Sequence, residues 1–285
     1  MNVLVTGSGG FLGKLFVRFL EDNGVAAITY DLVDGEDLLD ANCLVHKMKT
    51  ADMVVHLAAV GDVYQAAQNP AKAAVSGTAG TANLVKAANE CKIKKIIYVS
   101  TWEVYGEPKY QPVDEIHPCL PDHPYSISKY GGELMVRSKL NRIPWVILRL
   151  GSAYGPSMRP HAVIPLFIRK ALRKETIILQ GGGGQHRQFT HTDDINRAVF
   201  QALRLPVKNE IFNIVNSKTA SIRQIAELIA KTIPVKITVG EQREGEVPSS
   251  VVSSKKAARI LKWKAQIPLR RGIQGVISEL SESSA

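Results

Sequence analysis

Residues 1–13 read Met1-Asn-Val-Leu-Val-Thr-Gly-Ser-Gly-Gly-Phe-Leu-Gly13, an apolar strand that runs into a glycine-rich turn and the start of a helix. Gly7, Gly10 and Gly13 are spaced so that the chain can turn tightly, approach a pyrophosphate closely and pack helix against strand. The free backbone N–H groups at the start of the helix would then face the phosphates. This stretch therefore predicts the phosphate-binding turn of a dinucleotide site.

A second predicted strand, residues 27–31, ends in an acidic residue. Asp31 lies 18 residues after Gly13, close to the ~20 expected for a carboxylate that binds the adenosine ribose diol. A carboxylate at this place would repel a 2′-phosphate. The pattern therefore predicts NAD, rather than NADP, as the cofactor.

Strands and helices alternate as far as residue 150. Further strands are predicted at 52–59, 95–100 and 145–150, and helices at 77–90 and 125–140. This order predicts an α/β fold with a doubly wound parallel sheet of the Rossmann type. We expect a cofactor domain formed by residues 1–155 together with about 188–216. Residues 156–187 and 217–285 would form a smaller C-terminal lobe.

Three local features carry narrower expectations. His56 stands inside an apolar strand and is predicted to be a hydrogen-bonded core residue. Thr192 or Asp193 is predicted to cap a helix over residues 195–205. The four glycines at 181–184 have no strand–helix context and predict a mobile loop rather than a second phosphate site.

Tyr125 and Lys129 are four residues apart on a predicted helix, so their side chains project from one face. A nearby ammonium and a positively charged nicotinamide both favour phenolate. A tyrosine with an unperturbed pKa of ~10 could then act as a base near neutral pH. Ser100 and Thr101 end a predicted strand at the edge of the sheet where ligands bind. Together these residues predict a catalytic centre.

The composition bounds the partners. The chain has 285 residues and a formal net charge of +10, which would draw in an anionic substrate. The basic residues are spread along the chain with no interleaved aromatics, a pattern that does not favour nucleic acid. No apolar run reaches the ~18 residues of a membrane span, and no signal peptide is expected. Three scattered cysteines predict reduced thiols in a cytoplasm and no metal site.

With these residues in place, the chain resembles the extended short-chain dehydrogenase/reductases, specifically the nucleotide-sugar epimerases and dehydratases. The resemblance covers nearly the whole length, and its motifs occur in the family's order. They are Thr6-Gly-x-x-Gly-Phe-Leu-Gly13, His56-Leu-Ala-Ala59, Val104-Tyr-Gly106, Tyr125-Ser-x-Ser-Lys129, Arg149 through Tyr154-Gly-Pro156, and Arg187-x-Phe-x-His-x-Asp-Asp194.

The resemblance implies bound NAD, a nucleotide-diphosphate sugar as substrate, with a UDP-sugar favoured, and a homodimer. It implies Tyr125 as base, Lys129 as the residue that holds the nicotinamide ribose and lowers the Tyr125 pKa, and Thr101 as a partner of the reacting sugar hydroxyl. The expected cofactor contacts are Gly7, Gly10, Phe11, Leu12, Gly13, Asp31, Asp37, Leu38, Leu57, Ala58, Ala59, Ser100, Tyr125 and Lys129. The expected substrate contacts are Thr101, Ser152, Arg187 and Arg243, with the two arginines on the diphosphate.

The triplet Thr101-Trp102-Glu103 separates the possible reactions. Similar dehydratases carry Thr-Asp-Glu, and Trp102 cannot supply the acid. Glu103 could still abstract a proton next to a carbonyl. The first hypothesis is a UDP-glucose/UDP-galactose 4-epimerase acting through a transient 4-keto sugar, and the alternative is a nucleotide-sugar dehydratase or decarboxylase with Glu103 as base. A hypothesis of another class is a non-catalytic NAD-binding sensor or RNA-binding relative, since fold does not determine function.

Overall fold

The computed structural model describes residues 1–139, 141–241 and 250–282. Its strands, numbered in chain order, are β1 (Asn2–Thr6), β2 (Ala26–Tyr30), β3 (Met53–His56), β4 (Lys95–Thr101), β5 (Trp145–Leu150), β6 (Ser152–Tyr154), β7 (Ile177–Gln180), β8 (His186–Arg187), β9 (Phe189–His191), β10 (Glu210–Ile214), β11 (Ala220–Ser221) and β12 (Ile237–Gly240). In the described part of the chain, six of these form one parallel sheet in the order β10-β5-β4-β3-β1-β2. The predicted α/β class and doubly wound sheet are confirmed.

Helices alternate with the strands of this sheet. They are α1 (Phe11–Asp22), α2 (Ala41–Met48), α3 (Val63–Gln68), α4 (Pro70–Ala74), α5 (Gly80–Glu90), α6 (Pro124–Arg137), α7 (Val163–Leu172), α8 (Thr192–Arg204), α9 (Ile222–Thr232), α10 (Lys255–Ile260) and α11 (Leu269–Glu282). None of the helices within the described ranges has both the length and the apolar composition needed to cross a membrane.

Both faces of the sheet are buried, which explains why its strands are apolar throughout instead of alternating. Successive residues of a strand point to opposite faces. In β1, Val3 and Val5 accordingly pack into one core with α1 and α8. Leu4 lies in a second core on the other face, with residues of α2 and α5. The sheet is therefore held from both sides, and the carboxyl ends of its strands stay open for a ligand.

A third apolar core lies in the later part of the chain. It includes Ile168 of α7, Ile225 of α9 and Ile273 of α11. Three short strand pairs accompany it: parallel β7 with β12 and β6 with β9, and antiparallel β8 with β11.

Two predicted elements differ in detail. The helix predicted at 77–90 begins earlier, because α4 continues through a π-helical turn, Val75–Ala79, into α5. The cap of α8 is His191, whose Nδ1 accepts from the Asp193 amide at 3.2 Å. The predicted caps, Thr192 and Asp193, are wrong because the helix begins at Thr192 and includes both in its first turn.

The glycine segment contains a 3₁₀ turn, Gly181–Gly183, with φ values of +55°, +76° and +70°. These left-handed conformations explain the glycines. The turn is held by the Gly181 amide, which donates to the Glu241 carbonyl at 3.0 Å, and by Arg223 Nε, which donates to the Gly182 carbonyl at 3.1 Å. The segment predicted as a mobile loop is therefore a bonded turn.

His56 is a buried core residue, as predicted. Its Nδ1 lies 2.6 Å from Thr6 Oγ1, and its Nε2 lies 2.9 Å from Thr81 Oγ1. Burial lowers the pKa of His56 to about 3, so the ring is neutral. It ties β3 to β1 and α5 beneath the site.

Candidate active site

A cavity of about 850 Å³ opens at the carboxyl ends of the parallel strands, where ligands bind in open α/β sheets. The residues that follow β1, β2, β3, β4 and β5 all contribute to its wall. Every predicted cofactor contact lines it: Gly7, Gly10, Phe11, Leu12, Gly13, Asp31, Asp37, Leu38, Leu57, Ala58, Ala59, Ser100, Tyr125 and Lys129. The individual contacts stay predictions, but the fold brings all fourteen to one cavity.

The glycine turn shows why side chains are excluded from this wall. Gly7 has φ +74°, and a Cβ at this position would lie 2.6 Å from the Ala58 amide nitrogen. A Cβ on Gly13 would lie 2.0 Å from the Gly7 carbonyl oxygen. The turn is thus compressed between α1 and the end of β3, which exposes the N–H groups at the start of α1 to the cavity. This arrangement fits a pyrophosphate.

Asp31 stands at the end of β2 beside this turn. Its Oδ2 accepts from the Gly9 amide at 2.7 Å, and its Oδ1 accepts from the Val33 amide at 3.0 Å. A carboxylate has about four acceptor positions, so both oxygens can still accept from a diol. The turn and the anchored carboxylate together fit NAD.

Lys129 lies in the wall of the cavity on α6. Its Nζ lies 4.8 Å from the centre of the Tyr98 ring, and the Tyr98 hydroxyl donates to the Lys129 carbonyl at 3.0 Å. Burial lowers the pKa of Lys129 to about 8, and the nearby Glu133 opposes this effect. The ammonium is therefore held in a fixed position on the same helix face as Tyr125.

The electrostatic surroundings of Tyr125 differ from the expected ones. Burial raises the pKa of its phenol, and the charge of Glu103 adds to this effect. The largest opposing contributions come from Arg159 and from a hydrogen bond with Thr101, not from Lys129. Among the protein groups, burial and Glu103 thus favour the protonated phenol, and a positive charge brought close to it would favour the phenolate.

Glu103 also lines the cavity, near Tyr125. It lies in the 3₁₀ turn Trp102–Tyr105, and its Oε2 is 3.3 Å from Nε2 of His123. His123 is the N-cap of α6, and its ring stacks on that of Tyr125 with the centroids 6.1 Å apart. The contact with Glu103 raises the pKa of His123. Glu103 and His123 are therefore in contact beside the phenol of Tyr125, and the contact is an ion pair when His123 is protonated.

The predicted substrate contacts separate into three groups. Thr101 and Ser152 line the main cavity. Arg187 lies in β8, lines a much smaller neighbouring cavity beside Ser152 and Trp102, and donates from an Nη atom to the His186 carbonyl at 2.8 Å. Arg243 lies outside the described residues. Arg187 is thus outside the lining of the main cavity but next to Ser152, which lines both cavities. Its contact with the diphosphate stays a prediction.

Sequence reasoning missed three polar residues near the sugar end: Asp62, Arg159 and His161. Asp62 Oδ2 lies 2.7 Å from an Nη atom of Arg159 and 2.8 Å from Nε2 of His161. Asp62 and Arg159 line the main cavity. A positional signal was present, because Asp62 follows a predicted strand and Arg159 follows Tyr154-Gly-Pro156. Polar residues just beyond the carboxyl ends of strands are candidates for the site.

Comparison with known proteins agrees with this geometry. Residues 3–215 match the model of the NAD-dependent epimerase/dehydratase family. A putative UDP-glucose 4-epimerase of Methanocaldococcus jannaschii is 33% identical, with 99% of each chain covered. The structure of a UDP-glucose 4-epimerase with UDP-glucose from Thermotoga maritima is similar with a TM-score of 0.92 at 26% identity, covering 100% of both chains. That of a UDP-glucuronic acid 4-epimerase from Bacillus cereus, in complex with UDP-glucuronic acid and NAD, has a TM-score of 0.90 at 27% identity, covering 99% of this chain and 100% of the other.

The chain therefore belongs to the NAD-dependent epimerase/dehydratase family. It is an enzyme that works with NAD, as the sequence predicted. The family match and the epimerase relatives support an enzyme, not the alternative of a non-catalytic NAD-binding sensor or RNA-binding relative.

We expect wild-type protein to bind NAD much more tightly than NADP. Asp31→Asn should reduce that preference by roughly tenfold or more, because it removes the charge that repels a 2′-phosphate and weakens a charge-assisted hydrogen bond to the ribose. Calorimetric titration with both cofactors measures the change. Asp34→Asn is the matched control, since Asp34 is exposed in the same turn and does not line the cavity. Equal wild-type affinity for both cofactors would contradict the role of Asp31.

Proposed function

We propose that this protein is a UDP-sugar 4-epimerase of the type that interconverts UDP-glucose and UDP-galactose. The triplet Thr101-Trp102-Glu103 carries the choice within the family. Trp102 stands where a dehydratase would need an acid, and the carboxylate of Glu103 is engaged with His123 at 3.3 Å. Thr101 and Tyr125 are then the groups positioned for proton transfer at a sugar hydroxyl, and the similar epimerases support the same choice.

The residues divide the work as follows. The glycine turn and Asp31 bind the cofactor, and Lys129 holds its nicotinamide ribose. NAD held by these residues would supply reversible hydride transfer at C4 of the sugar. Thr101 hydrogen-bonds the C4 hydroxyl, and Tyr125 removes its proton and later returns it. Between these steps the 4-keto sugar rotates within the cavity, so that its opposite face meets the nicotinamide.

The alternative is a nucleotide-sugar dehydratase or decarboxylase with Glu103 as base. Its chemistry requires a carboxylate that abstracts a proton next to the ketone. Glu103 lines the cavity, and its Oε2, although 3.3 Å from His123 Nε2, makes no well-aligned hydrogen bond there. This observation keeps the alternative specific enough to test.

Reaction in deuterated water separates the two functions. Purified protein is incubated with UDP-, dTDP- and GDP-sugars, and the products are identified by mass and by sugar analysis. An epimerase returns its own hydride and leaves C5 untouched, so the carbon skeleton should gain no deuterium. Glu103→Gln should lower the rate only modestly. Deuterium at C5, or loss of water or carbon dioxide, would instead establish the alternative and make Glu103 the base.

A homodimer is part of the proposal. Ile127 and Leu134 are seven residues apart on α6, so they share one face of the helix, and they are 52% and 45% exposed. Val75, between α4 and α5, is 44% exposed. Pairing of these helices between two copies would bury the apolar side chains. Light scattering at micromolar concentration should give the mass of a dimer, and a monomer would contradict this part.

Two further expectations belong to the proposal. The division into a cofactor domain and a substrate lobe is supported by the separate apolar core around α7, α9 and α11. A cytoplasmic location is supported by the thiols of Cys43, Cys91 and Cys119, which are free as expected in a reducing compartment.

A further inference from the structure

Asp62 brings two basic side chains together at the wall of the cavity. The side chains of Arg159 and His161 are 43% and 58% exposed, whereas that of Asp62 is 7% exposed. Both basic groups contact the same oxygen, Oδ2. The other oxygen, Oδ1, accepts from the amides of Tyr64 and Gln65 at 2.8 and 3.1 Å and caps α3. One oxygen of Asp62 therefore caps a helix, and the other offsets the charge of Arg159.

This cluster lies close to the reacting group. Asp62, Arg159 and Glu103 line the same cavity as Tyr125, and the pKa of Tyr125 responds to the charges of all three. Glu103 is in contact with His123, and Asp62 is in contact with Arg159, so each carboxylate has a basic partner. The charge of the Arg159 guanidinium is thus offset by Asp62 at the wall of the cavity.

The proposed reaction places any substrate carboxylate at the same end. A hexuronate carries its carboxylate on C5, which is bonded to C4. Because the C4 hydroxyl must reach Tyr125, that carboxylate must lie within a few bonds of the reacting oxygen. It would then lie in the part of the cavity lined by Asp62 and Arg159, where the guanidinium is paired with Asp62.

We propose that Asp62 makes this enzyme selective for neutral UDP-hexoses over UDP-hexuronates, by occupying the Arg159 and His161 side chains that would otherwise bind the substrate carboxylate. The inference rests on the proposed 4-epimerase function. It adds a residue that determines the sugar class, and it separates two kinds of substrate that occur among the similar structures.

Asp62→Asn is the direct test. Asparagine is a good N-cap, so its side-chain oxygen can still accept the hydrogen bonds from the two backbone amides of α3. The negative charge that offsets Arg159 is lost. We expect kcat/KM for UDP-glucuronate, relative to UDP-glucose, to increase by roughly tenfold or more, since the freed guanidinium can make charge-assisted hydrogen bonds to the substrate. Calorimetric binding of UDP-glucuronate should tighten by a similar factor without any need for turnover.

Three variants complete the design. Asp40→Asn is the matched control. Asp40 also caps a helix, α2, by accepting hydrogen bonds from two backbone amides, and it does not line the cavity. The ratio of kcat/KM for the two substrates should therefore equal that of wild type. Asp62→Ser also frees Arg159 and keeps a capping residue, so it replaces the asparagine variant if that protein does not fold. Asp62→Asn combined with Arg159→Gln should lose the gained activity on UDP-glucuronate.

The outcomes distinguish this inference from the proposed function. Wild-type protein that converts UDP-glucose, with no change of ratio or of binding in either Asp62 variant, would overturn the role of Asp62 and leave the 4-epimerase function in place. A wild-type preference for UDP-glucuronate, or a double variant that keeps the gain, would also overturn it. Wild-type protein that binds NAD but epimerises neither sugar would instead contradict the proposed function itself.

Discussion

Tyr125→Phe is expected to abolish epimerase turnover while leaving NAD bound. The phenyl ring fills the same space beside His123 but cannot accept the proton of the C4 hydroxyl. Loss of a general base typically lowers a rate by ~10²–10⁴-fold. Thr101 cannot replace it, since a hydroxyl with no neighbouring base is a poor proton acceptor. Steady-state assay with UDP-glucose, with separation of UDP-galactose from substrate, gives the turnover.

Cofactor binding should survive this change, because the predicted NAD contacts are spread over the glycine turn, Asp31 and the end of β3. The absorbance of NAD released from denatured protein measures the bound fraction. Tyr130→Phe is the matched control, since Tyr130 is on the same helix and does not line the cavity. Wild-type turnover in Tyr125→Phe would remove Tyr125 from the mechanism, whereas loss of NAD would assign it to binding.

Arg149→Met is expected to destabilise the protein by ~3–5 kcal/mol, the usual effect of removing one partner of a buried ion pair. Arg149 and Glu133 are 1% and 0% exposed. The guanidinium donates from Nε to Glu133 Oε1 at 2.9 Å and from an Nη atom to Oε2 at 2.7 Å. Ser100 Oγ also donates to Oε1, at 2.6 Å. Without Arg149, a buried carboxylate would lose both charge-assisted bonds.

Urea denaturation at one fixed NAD concentration measures this effect, because bound cofactor itself stabilises the folded state. Lys94→Met is the control. Lys94 pairs with Asp52 at 2.6 Å but is 67% exposed, and a pair exposed to solvent contributes at most ~1 kcal/mol. Adding Glu133→Leu to Arg149→Met should restore part of the stability, since no charge is then buried alone. A similar loss in both single variants would contradict this account.

The buried pair also bears on the cofactor contacts. Ser100 was predicted to bind cofactor, and it lines the cavity, but its hydroxyl donates to Glu133. Glu133 is one turn after Lys129 on α6 and keeps the pKa of that lysine from falling further. The network of Ser100, Glu133 and Arg149 thus connects the end of β4 and β5 to the helix that carries Tyr125 and Lys129.

Local pattern was sufficient for the framework of this protein. The sheet could be predicted from its apolar strands, and the cofactor from the glycines at 7, 10 and 13 and the acid at 31. The edge of the sheet where the cofactor binds followed from the same residues. Each of these features depends on residues near one another in sequence. Tyr125 and Lys129 could be paired for the same reason, since a helix brings residues four apart onto one face.

Only the tertiary structure determined which charged side chains meet in the cavity near Tyr125. Asp62 and Arg159 are 97 residues apart, and Glu103 and His123 come from a turn and a helix cap. No short-range pattern predicts that such residues meet, because residues distant in the chain come together only in the folded protein. The expected effect of Lys129 on Tyr125 likewise depended on distances that spacing does not determine. Burial, which is a property of the folded chain, raises the pKa of that phenol most strongly.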